Sequence, residues 1–303
     1  MTYLGKTLVV ANPVAQNGNG AAAAERAGEH LRRLLPEGSF ELAMTEEPLH
    51  ATRIAAQSGA FDTVVALGGD GIVHEVVNGL MEIDEAVRPA FGLLPLGSGN
   101  DYARTLGMSF DLETSIRQLV AASPVALDLG LCNGEYFAET LSFGLDAAIA
   151  LDTVERRKRT GKTGTPLFLA SGIDMLLHNI TEHRFSAQID GGEPFESSML
   201  LFAVQIGPTY GGGFTICPDA SARDGLLDLC IAHPPLGIPK AVLIFLLAKN
   251  AHHTRFKQLE FRRAASLSIR FDEAPPAQID GEPIPASSFD VSVVPRALNV
   301  LVP

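Results

Sequence analysis

Thr63-Val64-Val65-Ala66-Leu67-Gly68-Gly69-Asp70-Gly71 decides how this chain folds. An apolar run of strand length stops, and three glycines around one aspartate open into the helical pattern His74-Glu75-Val76-Val77-Asn78. Glycines let the backbone approach a ligand and turn its N–H groups outward beside a helix N-terminus. An aspartate in that position repels a phosphate unless a cation lies between them, so the motif reads as a seat for a nucleotide phosphate with Mg²⁺. Standing alone, the same residues would be no more than a tight turn that needs glycine.

They do not stand alone. Working outward, strand candidates fall at Thr7–Ala11, Phe40–Met44, Thr63–Leu67 and Ala90–Leu94, with helical stretches at Ala21–Leu35, Ala51–Ser58, Gly71–Met81 and Leu112–Ala122. Strands alternating with helices imply a parallel sheet that offers ligands its carboxyl ends. Asn12, Thr45, Gly68–Gly71 and Pro95–Asn100 all sit at such ends. Two further segments have the same character. Asn12-Pro13 leads through Asn17-Gly18-Asn19-Gly20 into a helix, and Pro95-Leu96-Gly97-Ser98-Gly99-Asn100-Asp101-Tyr102-Ala103-Arg104 is a second glycine-rich exit. No Walker A lysine motif occurs, which excludes a P-loop protein.

The 303 residues suffice for two domains, and 46% hydrophobic with 19% charged residues is the balance of a packed globular chain. A formal charge of −12 excludes nucleic acid as the main partner. No apolar run reaches the ~20 residues that cross a bilayer. The longest, Ala241–Ala248, is expected as a buried helix. The chain enters a strand directly with no signal-peptide pattern, and Cys132, Cys217 and Cys230 are too few and too scattered for a disulfide framework or a metal cluster. A cytoplasmic location is the expectation.

After Asp128 the texture becomes β-rich, with turns at Asn133-Gly134, Asp190-Gly191-Gly192, Gly211–Gly213, Asp224-Gly225 and Asp280-Gly281. Helical stretches interrupt at Pro166–Asn179 and Lys240–Ala251. The expected fold is an α/β nucleotide-binding domain over 1–127, a parallel sheet with flanking helices that 290–303 is able to complete. An antiparallel β-sandwich domain over 128–289 follows.

These motifs resemble the diacylglycerol kinase catalytic-domain family, which includes bacterial soluble lipid kinases, sphingosine kinases and ceramide kinases. The resemblance rests on Gly68-Gly69-Asp70-Gly71 with Glu75-Val76-Val77-Asn78-Gly79-Leu80, and on Pro95-Leu96-Gly97-Ser98-Gly99-Asn100-Asp101. In the second half it rests on Phe143-Gly144-Leu145-Asp146-Ala147, Gly211-Gly212-Gly213-Phe214, Pro218-Asp219-Ala220, Asp224-Gly225-Leu226-Leu227-Asp228 and Asp280-Gly281-Glu282-Pro283. NAD kinases share the Gly-Gly-Asp-Gly turn more distantly, and the first domain is NAD-kinase-like in this sense. Two departures stand out: the first loop lacks the Ser-Gly pair and lysine usual after Asn-Pro, and Arg223 replaces an aspartate before Asp224.

The resemblance implies ATP- and Mg²⁺-dependent phosphorylation of a lipid hydroxyl, with diacylglycerol or a relative as acceptor. Nucleotide contacts are implied for Asn12, Thr45, Gly68, Gly69, Asp70, Gly71, Glu75, Gly97, Ser98 and Asn100, with Glu75 suited to the ribose and Ser98 to phosphate. Mg²⁺ is implied at Asp70, with Asp101 and Asp128 linked to it through water, and a structural site at Asp224. Glu282 is implied as general base, in a turn facing the crevice between domains; Asp70 is the other candidate. Asp101 also suits a helix first turn, and Ile189-Asp190-Gly191-Gly192-Glu193-Pro194 nearly copies the Glu282 turn as an ordinary hairpin. The basic run Arg156-Arg157-Lys158-Arg159 with Lys162 reads either as a solvated face or as a contact for phosphates or anionic headgroups, and His252-His253 reads as surface. Transient docking at a membrane surface and homodimerisation follow from the resemblance alone. Two alternatives stay open: a kinase of a soluble acceptor such as NAD or a polyol, and a nonenzymatic lipid- or nucleotide-binding regulator.

Overall fold

The computed structural model describes residues 2–303, and of Gln16 and Asn17 the backbone only. The side chain of Asn17, part of the first glycine loop, therefore lies outside the described residues. The chain divides into two compact units, 1–127 with 296–303, and 128–295.

The first unit runs β1 (Thr7–Ala11), α1 (Ala15–Gly18), α2 (Gly20–Leu34), β2 (Phe40–Met44), α3 (His50–Ala56), β3 (Thr63–Gly68), α4 (Asp70–Met81), β4 (Ala90–Pro95), α5 (Asp101–Leu106) and α6 (Leu112–Ala121). Its strands pair in parallel in the order β2-β1-β3-β4. β1 and β3 are buried along their whole length, as continuous Val-Leu-Ala runs in a sheet covered on both faces must be. α2 turns Ala23, Ala24, Ala27, Gly28 and Leu31 inward, a small-residue stripe that lets the helix sit close to the sheet. α6 starts where the Asp111 carboxylate accepts the Thr114 N–H at 2.9 Å. The four expected strands and helices are present, and the Pro95–Arg104 exit enters the helix α5, begun by Asn100 and ended by Gly107, both left-handed.

The second unit runs β5 (Ser123–Cys132), β6 (Glu135–Phe137), β7 (Thr140–Gly144), α7 (Leu145–Thr160), α8 (Thr165–His178), β8 (His183–Ile189), β9 (Phe195–Met199), β10 (Leu201–Gln205), β11 (Thr209–Tyr210), β12 (Phe214–Thr215), β13 (Leu227–Ala232), α9 (Ile238–Ala248), β14 (Leu259–Ala264), β15 (Ser266–Phe271), β16 (Ala277–Ile279), β17 (Glu282–Pro283) and β18 (Ser288–Val302). One antiparallel sheet has the order β14-β13-β10-β7-β16-β17. In the other, β9, β8, β15 and the first half of β18 are neighbours. Phe143 and Phe202 from the first sheet meet Phe185, Phe271 and Phe289 from the second, with Phe143 and Phe289 ring centres 4.6 Å apart. This is the core of the expected β-sandwich. Strand alternation sends Ala203 and Cys230 to the opposite face, where α7, α8 and α9 pack on Phe168, Tyr210 and Phe214.

The last strand, β18, has residues in both units: 288–292 pair with β15, and Val300, in the 296–303 stretch of the first unit, pairs with Phe91 of β4. α7 was not legible as a helix: only Leu145, Asp146, Ala147 and Ile149 near its start are buried, and its charged end reads as a solvated face or as a contact for anionic groups.

Candidate active site

In the first unit, four strand exits converge. The Asn12 N–H donates to Leu67 O at 3.2 Å, and its Oδ1 accepts the Val14 N–H at 3.0 Å, turning the chain after β1. The Thr45 N–H donates to Ala11 O at 2.9 Å, placing β2's exit beside them. The two glycine turns touch: a Cβ on Gly69 would lie 2.9 Å from the Gly97 Cα. Only residues without side chains fit where the β3 and β4 exits cross.

Asp70 ties these turns together. Its Oδ1 accepts the main-chain N–H of Asp101 at 2.8 Å and of Tyr102 at 3.3 Å, at the start of α5. Its other oxygen faces Gly99, where an added Cβ would lie 2.8 Å from Asp70 Oδ2 and 3.1 Å from Asp101 Oδ2. Two carboxylate oxygens thus flank one bare glycine in a cradle that a side chain would fill. Hard oxygens so placed suit a Mg²⁺ that keeps several waters and takes phosphate oxygens for the rest. Asp70 and Asp101 fit that cation as its protein donors, and they are one donor short of the three or more His, Cys, Asp or Glu side chains that by themselves form a metal cluster; none occurs among the described residues. Arg104 adds a cation, its Nε 3.7 Å from Asp101 Oδ1 and its guanidinium over the Phe110 ring. Nothing in the sequence around Arg104 marks it for this position.

The remaining expected nucleotide residues divide. The Ser98 hydroxyl makes no hydrogen bond within the described residues, and Gly71 lies in the first turn of α4. Asn100 holds its own turn, accepting the Gly97 N–H at 2.7 Å and donating to Gly97 O at 3.0 Å. Glu75 Oε2 accepts the Ala51 N–H at 3.0 Å and so caps α3, a structural duty beside the ribose contact expected of it.

In the second unit, Glu282 is exposed in β17, paired with Ile279 across the Asp280-Gly281 turn. Both turn residues have positive φ, 46° and 94°, the two-residue hairpin that Asp-Gly favours. Asp280 holds the turn by accepting the N–H groups of Ala138, Glu139 and Thr140 at 2.8, 3.1 and 2.9 Å. Among the described residues the Glu282 carboxylate makes no hydrogen bond or ion pair. The near copy also has positive φ at both turn residues, 50° and 66°, but lies in a longer connection between β8 and β9, with Asp190 accepting from Ala265 and Ser266, both at 2.8 Å. What separates the two is a buried polar row on the strands that carry the Glu282 hairpin, β16, β7 and β10. Gln205 donates to Thr140 at 2.5 Å and Gln278 donates to Ser142 at 2.7 Å across adjacent strands. This row was invisible in the sequence because both faces of those strands are covered.

A second cation does not fit at Asp224. Arg263 stands opposite Asp228 in the register of β13 and β14. Its guanidinium donates to Asp224 Oδ2, and its Nε lies 3.3 Å from Asp228 Oδ1. Burial pushes the Asp228 carboxyl up against the pull of Arg263, helped by Asp224 and Asp219. Arg263 already supplies the positive charge between these carboxylates. Asp128 belongs to the same loop system: its Oδ2 accepts the Gly225 N–H at 2.7 Å.

The helical side of the second unit holds an apolar cavity of about 70 Å³ lined by Ile149, Phe168, Leu176, Phe214, Ile244 and Phe245. Asp146 also lines it, bonded to the Tyr210 hydroxyl, and burial pushes its carboxyl up to about 6. His253, expected at the surface, is buried and bonds Ile216 O at 2.9 Å. The three cysteines are free and buried, and burial holds the Cys132 and Cys230 thiols up at about 12. Among the described residues no helix is long and apolar enough to cross a membrane.

Comparison with known proteins places this architecture. The diacylglycerol kinase catalytic domain matches residues 6–132, and the YegS C-terminal NAD kinase beta sandwich-like domain matches residues 139–302. The chain belongs to the diacylglycerol kinase catalytic-domain family, in its YegS-like form, and is an enzyme of the lipid kinase class. It is 29% identical over 286 residues to a protein from Yersinia enterocolitica named "Probable lipid kinase YegS-like", covering 90% of each chain. It is 28% identical over 264 residues to a diacylglycerol kinase from Bacillus subtilis, covering 84% of each. A crystal structure of a diacylglycerol kinase from Bacillus anthracis str. Sterne superposes with a TM-score of 0.82 at 21% identity, covering 100% of this chain and 99% of that one. At that identity the superposition speaks for the fold.

Proposed function

We propose that this protein transfers the γ-phosphoryl group of ATP, with Mg²⁺, to the free hydroxyl of diacylglycerol or a closely related lipid. The observation that carries the donor half is the pair of carboxylate oxygens, Asp70 Oδ2 and Asp101 Oδ2, flanking Gly99 among three N–H-bearing turns. Bound there, Mg²⁺ would neutralise charge building on the phosphate oxygens. Main-chain N–H groups of the Gly68–Gly71 and Gly97–Asn100 turns hold phosphate oxygens, and Ser98 donates its hydroxyl. Arg104 offers a further positive charge to the same group.

The acceptor half rests on Glu282. Phosphoryl transfer asks the protein chiefly to position groups and to take one proton from the attacking alcohol. Glu282, held on a rigid hairpin with its carboxylate unengaged, accepts that proton. Water-insoluble acceptors are met at a membrane surface, so docking there is transient and peripheral. The test is incubation with γ-labelled ATP, Mg²⁺ and a panel of acceptors: dioleoylglycerol in phospholipid vesicles, glycerol, and NAD. Label in the organic extract supports the proposal; label in NAD or glycerol replaces it with a soluble-acceptor kinase.

A further inference from the structure

α9, Ile-Pro-Lys-Ala-Val-Leu-Ile-Phe-Leu-Leu-Ala, is apolar all round apart from Lys240. Such a helix is ordinarily buried on every side or set in lipid. Here it is neither, since its inner face, Ala241, Ile244 and Ala248, packs on the core while Ile238, Leu243 and Leu246 are 42%, 48% and 45% exposed. The sequence expectation of a wholly buried helix holds only for that inner face. Single exposed leucines mean little, but a continuous outer stripe on one helix does.

Two neighbouring features indicate what covers the stripe. The inner face of the same helix, through Ala241, Ile244, Phe245 and Ala248, lines the apolar cavity. The adjoining helix α8, whose Phe168 ring centre lies 6.3 Å from that of Phe245, opens at its start on a pocket of about 470 Å³ lined by Arg159 and Lys162. Arg156 is neutralised there by Asp152 and Asp174, and Lys158 by Glu155. Among the described residues Arg157, Arg159 and Lys162 make no ion pair, which leaves a local excess of positive charge on a chain whose net charge is −12. An apolar stripe next to unneutralised cations is complementary to the interfacial layer of an anionic membrane. A second copy of the chain fits less well, because three half-exposed side chains fall short of the ~800 Å² each partner brings to a standard interface.

We propose that α9 enters the interface of an anionic phospholipid bilayer with its outer face. This contact does not depend on the lipid kinase reading above.

The chain contains no tryptophan, so Leu246→Trp provides a sole fluorescent probe on the outer stripe. With vesicles of phosphatidylcholine and phosphatidylglycerol, its emission should shift to the blue and be quenched by brominated lipid. Leu34→Trp, on the exposed side of α2, should do neither. Leu243→Asp with Leu246→Asp should weaken vesicle partition at least ~10-fold, about 1.4 kcal/mol, with no change in melting temperature. An unshifted, unquenched Leu246→Trp overturns the proposal, and it does so even where the double variant fails to fold. So does a double variant that turns a dimer into a monomer and still binds vesicles as the wild type does. Wild-type protein that binds vesicles but phosphorylates no lipid would sink the lipid kinase reading and leave α9's role standing. Phosphorylation of dioctanoylglycerol in detergent micelles by a Leu246→Trp protein blind to vesicles would do the reverse.

Discussion

Asp70 caps the helix that carries Asp101: its Oδ1 accepts the Asp101 N–H at 2.8 Å, and both carboxylates keep an oxygen beside Gly99. One residue thereby fixes the geometry of the other. Asp70→Asn retains an oxygen that can accept the same N–H but loses the charge, whereas Asp70→Ala loses both. We expect both variants to lose at least ~100-fold in kcat/KM, about 2.7 kcal/mol of transition-state stabilisation. The alanine variant alone should also lose about 1 kcal/mol of stability, the usual cost of a lost cap. Steady-state kinetics and urea denaturation separate the two effects.

Glu282 and Asp280 sit two residues apart and should behave oppositely. Glu282→Gln removes an exposed carboxylate without partners, so kcat should fall by about 10²–10⁴ with the melting temperature unchanged. Asp280→Ala frees three buried N–H groups and should cost roughly 3 kcal/mol or more. A Glu282→Gln enzyme with full kcat would move the proton acceptor elsewhere, with Asp70 as the next candidate.

Arg263 should make the second unit indifferent to divalent cations. Melting of the nucleotide-free wild type is expected to be the same in Mg²⁺ and in EDTA. Arg263→Gln leaves Asp224 and Asp228 facing each other, so its melting temperature should fall and then recover partly with Mg²⁺. Hydrogen exchange at Gly225 and Leu226, whose N–H groups bond Asp128 and Asp224, reports the same loop directly. A wild-type loop that loosens in EDTA would show that a metal is bound there after all.

Asp146 gives a pH dependence of known sign. Burial raises its folded-state value to about 6 from 3.8. The protonated form is favoured in the folded protein, so this contribution is complete below about pH 4 and is lost as pH rises through about 6. The loss amounts to about 3 kcal/mol. Asp146→Asn, which keeps an acceptor for the Tyr210 hydroxyl, should therefore be more stable than wild type at pH 7 and no more stable at pH 4, as measured by urea denaturation at both.

Much of the first unit was legible because its signals are local. β1, β3 and β4 are continuous apolar runs, β2 is interrupted by Glu41, and each ends in residues that only a turn explains. The second unit hid more. α7 has no apolar stripe beyond its first two turns, so its charged end reads in the sequence either as a solvated face or as a contact for anionic groups, and not as a helix. The pairing of Arg263 with Asp228 depends on strand register, which no window of sequence contains. Glu75 shows a further limit: its position two turns into α4 was clear, yet its capping of α3 depends on how two helices pack. His253 was misjudged because one imidazole beside another in a polar stretch carries no sign of burial.

Everything proposed for the donor depends on nucleotide phosphates resting on the crossed glycine turns. Amide resonances of the ¹⁵N-labelled protein titrated with Mn²⁺–ATP test this most directly, since the paramagnetic ion broadens only what lies near it. Gly69, Asp70 and Gly97 to Asp101 should broaden first and together, and the effect should vanish in Asp70→Asn. Broadening centred on any other part of the protein, with these residues unchanged, would contradict the account.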